Sequence, residues 1–263
     1  MHGMAQTILV TGATSGLGRA VAADLADKGH TVLVHGRERP KVDGLVSQLP
    51  GCARGYVADL ASLDEVRRLG NQVAADVERV DVLVNNAGVA STDRRDSQDG
   101  VELDFAVNHL AHWLLTGYLL SRVGRRIVSV ASIGQAPIDW SDPLLERGWE
   151  PFRAYSQSKL AQIAFTFDLA ERLDGRATVN ALHPATLMDT QMVRESFGRT
   201  ISSVDDGVGP VVRLAVGDDA DGVTGRFYDQ TRESRAHDQA YDVDSRRRLW
   251  DLCVRLAGED PYA

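Results

Sequence analysis

The fold is decided by the stretch Thr11-Gly12-Ala13-Thr14-Ser15-Gly16-Leu17-Gly18. It ends a short β-branched run, residues 7–11, and opens an amphipathic segment, residues 16–28. A glycine-rich turn between a strand and a helix leaves backbone N–H groups bare at the start of the helix, where they can bind a pyrophosphate. The stretch therefore predicts the first strand, turn and helix of a dinucleotide-binding sheet.

The rest of the chain repeats this alternation of short β-branched runs with longer amphipathic segments. The predicted strands are residues 7–11, 31–35, 52–57, 81–85, 125–131, 177–182 and 225–228. The predicted helices, in which apolar residues recur every three to four positions, are residues 16–28, 62–78, 100–120, 152–173 and 244–256. Repeated βαβ units predict an α/β fold, a doubly wound seven-stranded parallel sheet with helices on both faces.

Length and composition favour one domain. The chain has 263 residues, 43% of them hydrophobic and 25% charged, which is ordinary for a globular protein with a substantial core. No internal repeat, linker or low-complexity tract divides it, so residues 1–263 are predicted to form a single domain. Two irregular segments, residues 134–151 and 185–206, are candidate substrate loops.

Charge and cysteine content exclude several classes of partner. A net charge of −8 argues against nucleic acid and anionic membranes, because both require a positive surface. Cys52 and Cys253 are far apart and belong to no CxxC or Cys/His cluster, so we expect neither a disulfide framework nor a zinc site. His109 and His112 lie three positions apart without an evident third ligand. We therefore treat both as structural and predict no metal.

Two segments bear on location. The longest uncharged stretch, residues 105–121, is interrupted by Asn108, His109 and His112 and is typical of a buried helix, not of a membrane span. Residues 1–6 are too short and too polar to form a signal peptide before the first strand. A cytoplasmic protein that makes no membrane contact is expected.

Tyr155 and Lys159 are the second informative feature of the chain, in Tyr155-Ser156-Gln157-Ser158-Lys159. A phenol four residues before an ammonium lies on the same helix face, where the cation can stabilise the phenolate and lower the tyrosine pKa. This pattern indicates a tuned proton donor. Together with the glycine turn, it predicts redox chemistry on a bound dinucleotide.

Polar and glycine residues follow five of the predicted strands. Ligands of an open parallel sheet bind beyond the carboxyl ends of its strands, so these positions are expected to lie together. They are Gly12, Gly16 and Gly18 after the first strand, His35-Gly36-Arg37 after the second, Asp59-Leu60 after the third, Asn85-Asn86-Ala87-Gly88 after the fourth, and Ser132 after the fifth.

The motifs TGATSGLG, NNAG and YSQSK, together with Ser132 and with Asn108 in VNHLAHWLLT, resemble those of the short-chain dehydrogenase/reductases. The similarity covers nearly all of the chain, and its motifs are highly specific up to Lys159. It implies a single-domain Rossmann fold with Asn108, Ser132, Tyr155 and Lys159 as the catalytic set. Tyr155 would be the general acid in reduction or the base in oxidation. Ser132 would hydrogen-bond the substrate oxygen and stabilise the charge that develops there in the transition state. Asn108 would hold a water that links Lys159 to solvent.

The second strand predicts the cofactor. An NAD site usually places an acidic residue there, whereas a 2′-phosphate needs room and positive charge. Gly36 occupies the acidic position and Arg37 follows it, with Arg39 as a second candidate, so NADP(H) is favoured. Asp59 could accept a hydrogen bond from the adenine amino group. Asn86 could be structural and brace the central turn of the sheet. The predicted cofactor-binding residues are Gly12, Thr14, Ser15, Gly16, Leu17, Gly18, Arg37, Asp59, Leu60, Asn86, Ala87, Gly88, Tyr155, Lys159, Pro184 and Leu187.

The chain departs from the family pattern in two places. After the sixth strand it reads His183-Pro184-Ala185 where Pro-Gly is frequent, so either Thr186 or Thr190 could contact the cofactor. The long interval between Ser132 and Tyr155 resembles the retinol-dehydrogenase-like branch, which often acts on apolar alcohols, aldehydes and ketones. Six apolar residues there could line a substrate pocket or only pack the loop onto the core: Ile138, Trp140, Leu144, Leu145, Trp149 and Phe152. Three more could form a lid or pack: Met188, Met192 and Phe197.

The predicted function is an NADP(H)-dependent oxidoreductase that transfers a hydride between nicotinamide and a carbonyl or alcohol carbon. Carbonyl reduction of a small apolar ketone or aldehyde is the preferred direction, because cytosolic NADP pools are usually reduced. The alternatives are an alcohol oxidation in a biosynthetic pathway and an NADP-sensing protein without turnover. Substrate, stereochemistry and pathway are open at this stage. Relatives commonly form dimers or tetramers, so a homodimer or a homotetramer is a candidate.

Overall fold

The computed structural model describes residues 5–263, except for the side chains of residues 52 and 53. Within this part of the chain the strands are β1 Thr7–Val10, β2 Thr31–Gly36, β3 Cys52–Val57, β4 Val80–Asn85, β5 Val123–Val130, β6 Thr178–His183, β7 Arg226–Asp229 and β8 Arg232–Glu233. The α-helices are α1 Gly16–Asp27, α2 Arg39–Gln48, α3 Leu63–Asp76, α4 Leu103–Phe105, α5 Ala111–Leu119, α6 Pro151–Leu173, α7 Gln191–Phe197, α8 Asp205–Val216 and α9 Val243–Ala257. The prediction that residues 1–6 carry no signal peptide falls mostly on residues outside the described range.

The strands form one sheet in the order β3-β2-β1-β4-β5-β6-β7-β8. All neighbours are parallel except β7 and β8, which pair antiparallel. The doubly wound sheet is therefore confirmed, with one more strand than the seven predicted. β8 is two residues long, too short to give a periodic signal in the sequence. The strand order reverses between β1 and β4, and that crevice is where such sheets bind ligands.

The sheet is buried on both faces, as helices on both sides require. Along β1, Ile8 and Val10 face one apolar cluster and Leu9 faces the other, and all three are fully buried. Alternate residues of a strand point to opposite faces, so a strand covered on both sides must be apolar throughout. The continuous run Ile8-Leu9-Val10 meets this requirement and fixes β1 in the centre of the sheet.

Three helices correct the prediction. α2 and α8 lie where no helix was predicted, and α7 lies within residues 185–206, which were predicted to be irregular. α2 and α7 bury one or two apolar side chains each, so neither has a strong helical repeat. Thr190 accepts from the Val193 N–H at 3.3 Å and caps α7, a local signal that periodicity does not register.

The helix predicted over residues 100–120 is not continuous. A π-helical turn, Ala106–Leu110, separates α4 from α5, and Asn108 is at its centre. Such turns interrupt the regular hydrogen-bond ladder and are frequent at functional sites. Apolar periodicity carries through the turn, so the sequence gives no sign of it.

The carboxyl-terminal segment packs against α5 and α6. The Trp113 and Trp250 rings meet edge to face with centroids 5.6 Å apart, and the Tyr262 hydroxyl donates to the Trp113 carbonyl at 2.6 Å. The Trp250 and Tyr262 rings also lie 6.5 Å and 6.4 Å from the Phe165 ring of α6, the helix that carries Tyr155 and Lys159. No helix within residues 5–263 is long and apolar enough to cross a bilayer.

Candidate active site

One cavity of about 570 Å³ opens at the carboxyl ends of the central strands. Most of the predicted site residues line it: Gly12, Thr14, Ser15, Gly16, Leu17, Gly18, Arg37, Asp59, Leu60, Asn86, Gly88, Ser132, Tyr155, Lys159, Pro184 and Leu187. Ala87 and Asn108 are not among its lining residues. The fold thus brings the glycine turn and the Tyr155/Lys159 pair to a single cavity.

The glycine turn is built for close approach. Gly12 has φ +64°, and a Cβ there would come within 2.8 Å of the Ala87 Cα. A Cβ on Gly18 would overlap the Gly12 carbonyl oxygen. The Asn86 side chain braces the turn by donating to the Thr11 carbonyl at 2.8 Å. The turn and the N-terminus of α1 therefore form a backbone cradle that fits a pyrophosphate.

We expect Gly18→Ala to lower the free energy of unfolding by about 1–3 kcal/mol, because the added methyl group must push backbone apart. Cofactor affinity should fall with it. Chemical denaturation and a titration with NADPH measure the two effects. Gly44→Ala is the matched control, since its Cβ meets nothing within 4 Å on α2. An unchanged Gly18→Ala protein would contradict the close packing of the cradle.

The end of β2 is crowded at Gly36 and carries positive charge just beyond it. A Cβ on Gly36 would overlap the Thr14 side chain, so no acidic residue fits there without rearrangement. Arg37 lines the cavity, whereas Arg39 does not and lies 3.9 Å from Asp43. Lys41, which is not among the predicted residues, also lines the cavity. The geometry therefore favours Arg37 over Arg39 and adds Lys41 as a second cation.

Tyr155 and Lys159 lie one turn apart on α6. The Lys159 Nζ is 5.7 Å from the centre of the Tyr155 ring, and Lys159 is buried. Ser132, which follows β5 closely, hydrogen-bonds Tyr155 and also accepts from the Gly134 N–H at 3.0 Å. Three groups able to hold or move a proton thus meet at one end of the cavity.

The pKa of Tyr155 is not lowered in the protein alone. Burial raises the pKa of Tyr155 to about 12, with the hydrogen bond from Ser132 opposing and the Asp104 charge adding to the rise. Burial also lowers the pKa of Lys159 to about 8. The predicted lowering by Lys159 is therefore wrong for the chain without cofactor, because desolvation of the phenolate is the largest effect and Lys159 is not among the groups that shift this pKa.

Asn108 supports the site from behind the cavity wall. Its side-chain oxygen accepts from the Val89 N–H at 2.8 Å, and its NH₂ donates to the Val89 carbonyl and to the Ser158 hydroxyl, both at 2.9 Å. A Cβ on Gly88 would lie 3.2 Å from this oxygen and 3.6 Å from Lys159 Nζ. Asn108 thus ties the segment after β4 to α6 through Ser158, close to Lys159.

The segment after β6 covers Tyr155. Leu187 has φ +44°, a strained conformation for a branched side chain, where the cavity wall turns. Phe197, on α7, meets the Tyr155 ring edge to face at 5.7 Å. The Ser196 hydroxyl donates to the Ala90 carbonyl at 2.6 Å and fastens α7 to the opposite wall.

Both candidate threonines line the cavity, in different settings. The Thr186 hydroxyl lies 3.1 Å from the His183 imidazole, while Thr190 caps α7. A Cβ on Gly16 would come within 3.2 Å of the Thr190 methyl group. Thr190 therefore lies against the glycine cradle, and Thr186 lies beside His183 just after β6.

The interval between Ser132 and Tyr155 is mostly packing. Ile138 and Leu145 are buried, and the Trp149 indole donates to Glu102 at 3.1 Å. Of the six apolar candidates in this interval, Phe152 lines the cavity, with Ile133 beside it. Both are exposed, Phe152 to 62%. The packing interpretation therefore holds for most of the segment, and its two ends flank the cavity.

His109 in the π-helical turn and His112 in α5 contact different neighbours. His109 lies 3.2 Å from the Cys253 sulfur, and His112 lies 3.1 Å from the Asn108 carbonyl. Burial lowers the pKa of each to about 3 and raises the pKa of the Cys253 thiol. Within residues 5–263 no group of three potential metal ligands occurs. The Cys52 side chain, part of the same prediction, lies outside the described residues.

Comparison with known proteins gives the family. The family model for short-chain dehydrogenases matches residues 6–200, which is most of the chain. The chain belongs to the short-chain dehydrogenase family. The match includes the glycine cradle, Ser132, Tyr155 and Lys159, so the predicted resemblance is confirmed. This short-chain dehydrogenase is accordingly an oxidoreductase of CH–OH and C=O groups.

Curated relatives identify the branch. Retinol dehydrogenase 14 from Mus musculus is 35% identical over 98% of this chain and 87% of its own length. Retinol dehydrogenase 13 from Homo sapiens is 34% identical over 96% of this chain and 85% of its own. The short-chain dehydrogenase described here therefore falls in the retinol-dehydrogenase-like branch, as predicted.

Solved structures share the fold. An uncharacterised protein from Mycobacterium paratuberculosis has a TM-score of 0.82 at 29% identity, covering 97% of this chain and 94% of its own. A protein from Beutenbergia cavernae, described as an NAD(P)-dependent gluconate 5-dehydrogenase with NADP bound at low occupancy, has a TM-score of 0.66 at 30% identity. It covers 88% of this chain and 97% of its own.

Proposed function

We propose that this short-chain dehydrogenase uses NADP(H) to interconvert a carbonyl and an alcohol in a small apolar substrate, with carbonyl reduction as the working direction. The observation that carries the proposal is one cavity with a backbone cradle for a pyrophosphate at one end and Ser132, Tyr155 and Lys159 at the other. The nicotinamide, when bound, supplies or accepts the hydride. The chain's own groups supply the proton and hold the substrate oxygen.

Tyr155 is assigned as the proton donor. Its pKa of about 12 keeps the phenol protonated at neutral pH, which is the form that reduction consumes. Ser132 donates to the substrate oxygen and stabilises the charge that develops there. Lys159, buried beside the Tyr155 ring, stabilises the phenolate that remains after the proton has left.

NADP(H) is favoured over NAD(H) by the end of β2. Arg37 and Lys41 are cations at the cavity wall, and a carboxylate at Gly36 that would bind a ribose 2′-hydroxyl would overlap the Thr14 side chain. The Beutenbergia protein, at 30% identity, is described as holding NADP. Asp59, Leu60 and Asn86 are assigned to the same site at the adenosine side.

An apolar substrate is favoured by the residues around Tyr155. Five apolar side chains line the cavity, and Phe197 among them meets the Tyr155 ring: Ile133, Phe152, Met188, Met192 and Phe197. Small-molecule sites are mostly apolar with a small number of placed polar groups. The curated relatives are named retinol dehydrogenases, so a conjugated aldehyde such as retinal belongs in any substrate panel.

The test is oxidation of NADPH and NADH by purified protein across apolar aldehydes, ketones, quinones and retinal. We expect turnover with NADPH and a bulky apolar carbonyl, and weaker turnover with NADH. The reverse assay with the matching alcohols and NADP⁺ measures the alternative, a biosynthetic alcohol oxidation. Tight NADPH binding with no turnover on any carbonyl or alcohol would favour the NADP-sensing alternative and contradict this proposal.

A further inference from the structure

Phe152 lies on the same face of α6 as Tyr155 and Lys159, one turn before Tyr155. The three residues are spaced i, i+3 and i+7 along this helix, so their side chains form one stripe. Exposure rises along the stripe towards the start of the helix: Lys159 is buried, Tyr155 is partly exposed and Phe152 is 62% exposed. All three line the cavity. The stripe therefore leads from the proton-transfer groups to the cavity mouth, with Phe152 at its outer end.

The Phe152 ring also lies close to Ser132. A Cβ on Gly134 would be 3.4 Å from the Ser132 Oγ and 3.8 Å from two ring carbons of Phe152, so the hydroxyl and the ring flank the same glycine. Ile133, between Ser132 and Gly134 in the chain, is exposed and lines the cavity. A substrate whose oxygen is held by Ser132 would therefore have the Phe152 ring within reach of its carbon chain.

Packing within the protein does not account for the Phe152 ring. Among the described residues, Phe152 belongs to neither apolar cluster that flanks the sheet, whereas Trp140 and Leu144 of the same interval pack against one of them. A single exposed apolar residue needs no explanation, but Phe152 and Ile133 are both exposed and both line the cavity. Exposed apolar surface that continues an apolar cavity is typical of a ligand contact.

We propose that Phe152 is a specificity-determining residue that binds the hydrocarbon tail of the substrate at the cavity mouth, so that the enzyme prefers carbonyl compounds whose tail reaches from Tyr155 to this ring. The inference rests on the proposed function, in which the substrate oxygen is held by Ser132 and receives its proton from Tyr155. It deepens that function by assigning the tail to one residue and by predicting selection by chain length.

A series of straight-chain aldehydes measures the contact with the tail. Each methylene group that is removed from water strengthens binding by up to about fourfold, so the wild-type kcat/KM should rise from butanal through hexanal and octanal to decanal. Phe152→Ala should lower kcat/KM for decanal about 10-fold more than for butanal. The loss should appear mainly in KM, because the ring would contact the tail equally in the ground state and in the transition state. Phe152→Leu keeps an apolar side chain and should recover most of the loss.

Val243→Ala is the matched control for Phe152→Ala. Val243 is an apolar residue in the first turn of α9, as Phe152 is in the first turn of α6, and it is 57% exposed but does not line the cavity. Its truncation should leave the ratio of the decanal to the butanal value at the wild-type level. An equal fall of this ratio in both variants would assign the effect to a general loss of exposed apolar surface and overturn the inference.

Binding of the matching alcohols gives a readout that needs no turnover. The reduced cofactor accepts no hydride, so calorimetric titration of the protein and NADPH with butanol, hexanol, octanol and decanol measures affinity alone. Affinity should rise with chain length in the wild-type protein and rise less steeply in Phe152→Ala. An equal rise in both proteins, or an equal loss of kcat/KM for butanal and decanal in Phe152→Ala, overturns the inference. Absence of wild-type turnover counts against the proposed function alone, since the alcohol titration then decides the inference by itself.

Discussion

Tyr155→Phe is expected to lower turnover by about 10²- to 10⁴-fold, the usual contribution of a positioned general acid. The substitution removes one hydroxyl and keeps the ring, so the edge-to-face contact with Phe197 and the packing of α6 should persist. NADPH affinity should change little, because the cradle is formed by backbone at the other end of the cavity. Steady-state rates and a fluorescence titration with NADPH measure both quantities.

Tyr118→Phe is the matched control for this experiment. The Tyr118 hydroxyl bonds Glu259 at 3.1 Å, and the residue does not line the cavity. Its loss should leave the rate unchanged within a factor of about two, since surface contacts contribute little. A Tyr155→Phe enzyme with the wild-type rate would remove Tyr155 from the mechanism. Loss of NADPH binding together with the rate would indicate a packing role instead.

The central sheet could be predicted from the sequence because its signals are local. Ile8, Leu9 and Val10 must all be apolar in a strand covered on both faces, and the glycines at 12 and 18 must be small where backbone approaches backbone. Such requirements are present in the residues themselves. They fix the strand, the turn and the helix before any long-range contact is known.

The missed elements depend on contacts that the sequence does not display. α7 buries Val193 and is held by the Thr190 cap and by the bond from Ser196 to Ala90. β8 exists because two residues can pair with β7. The partner that holds α7 is distant along the chain, so the sequence does not show the contact. β8 is so short that no periodic pattern can appear in it.

The residues of the site could be predicted from the sequence, but their pKa values could not. Family motifs named Tyr155 and Lys159, and a pair four residues apart indicates that a cation faces a phenol. Whether that cation lowers the tyrosine pKa depends on how deeply both groups are buried, which is a property of the folded chain. Lys41 was missed for a similar reason, since its position becomes informative only once the neighbouring elements are assembled.

Arg37→Ala should weaken NADPH binding by about 10- to 100-fold and NADH binding hardly at all. A hydrogen bond to a charged group contributes about 1.5–3 kcal/mol, and only NADPH carries the 2′-phosphate that Arg37 would contact. Arg37 lines the cavity next to Gly36, and NADH lacks the phosphate that its guanidinium would bind. Dissociation constants for both cofactors, measured at one ionic strength, give the ratio directly.

Arg39→Ala separates this effect from a general loss of positive charge. Arg39 is two residues away and lies 3.9 Å from Asp43, outside the cavity wall, so its removal should leave the NADPH-to-NADH ratio near the wild-type value. Lys41→Ala should give a smaller loss than Arg37→Ala, because Lys41 is already paired with Glu38 at 2.5 Å and a lysine cannot bind phosphate in the bidentate manner of arginine. Equal loss of both cofactors in Arg37→Ala would place the guanidinium outside the phosphate site, and a larger effect from Arg39→Ala would transfer the phosphate contact to that residue.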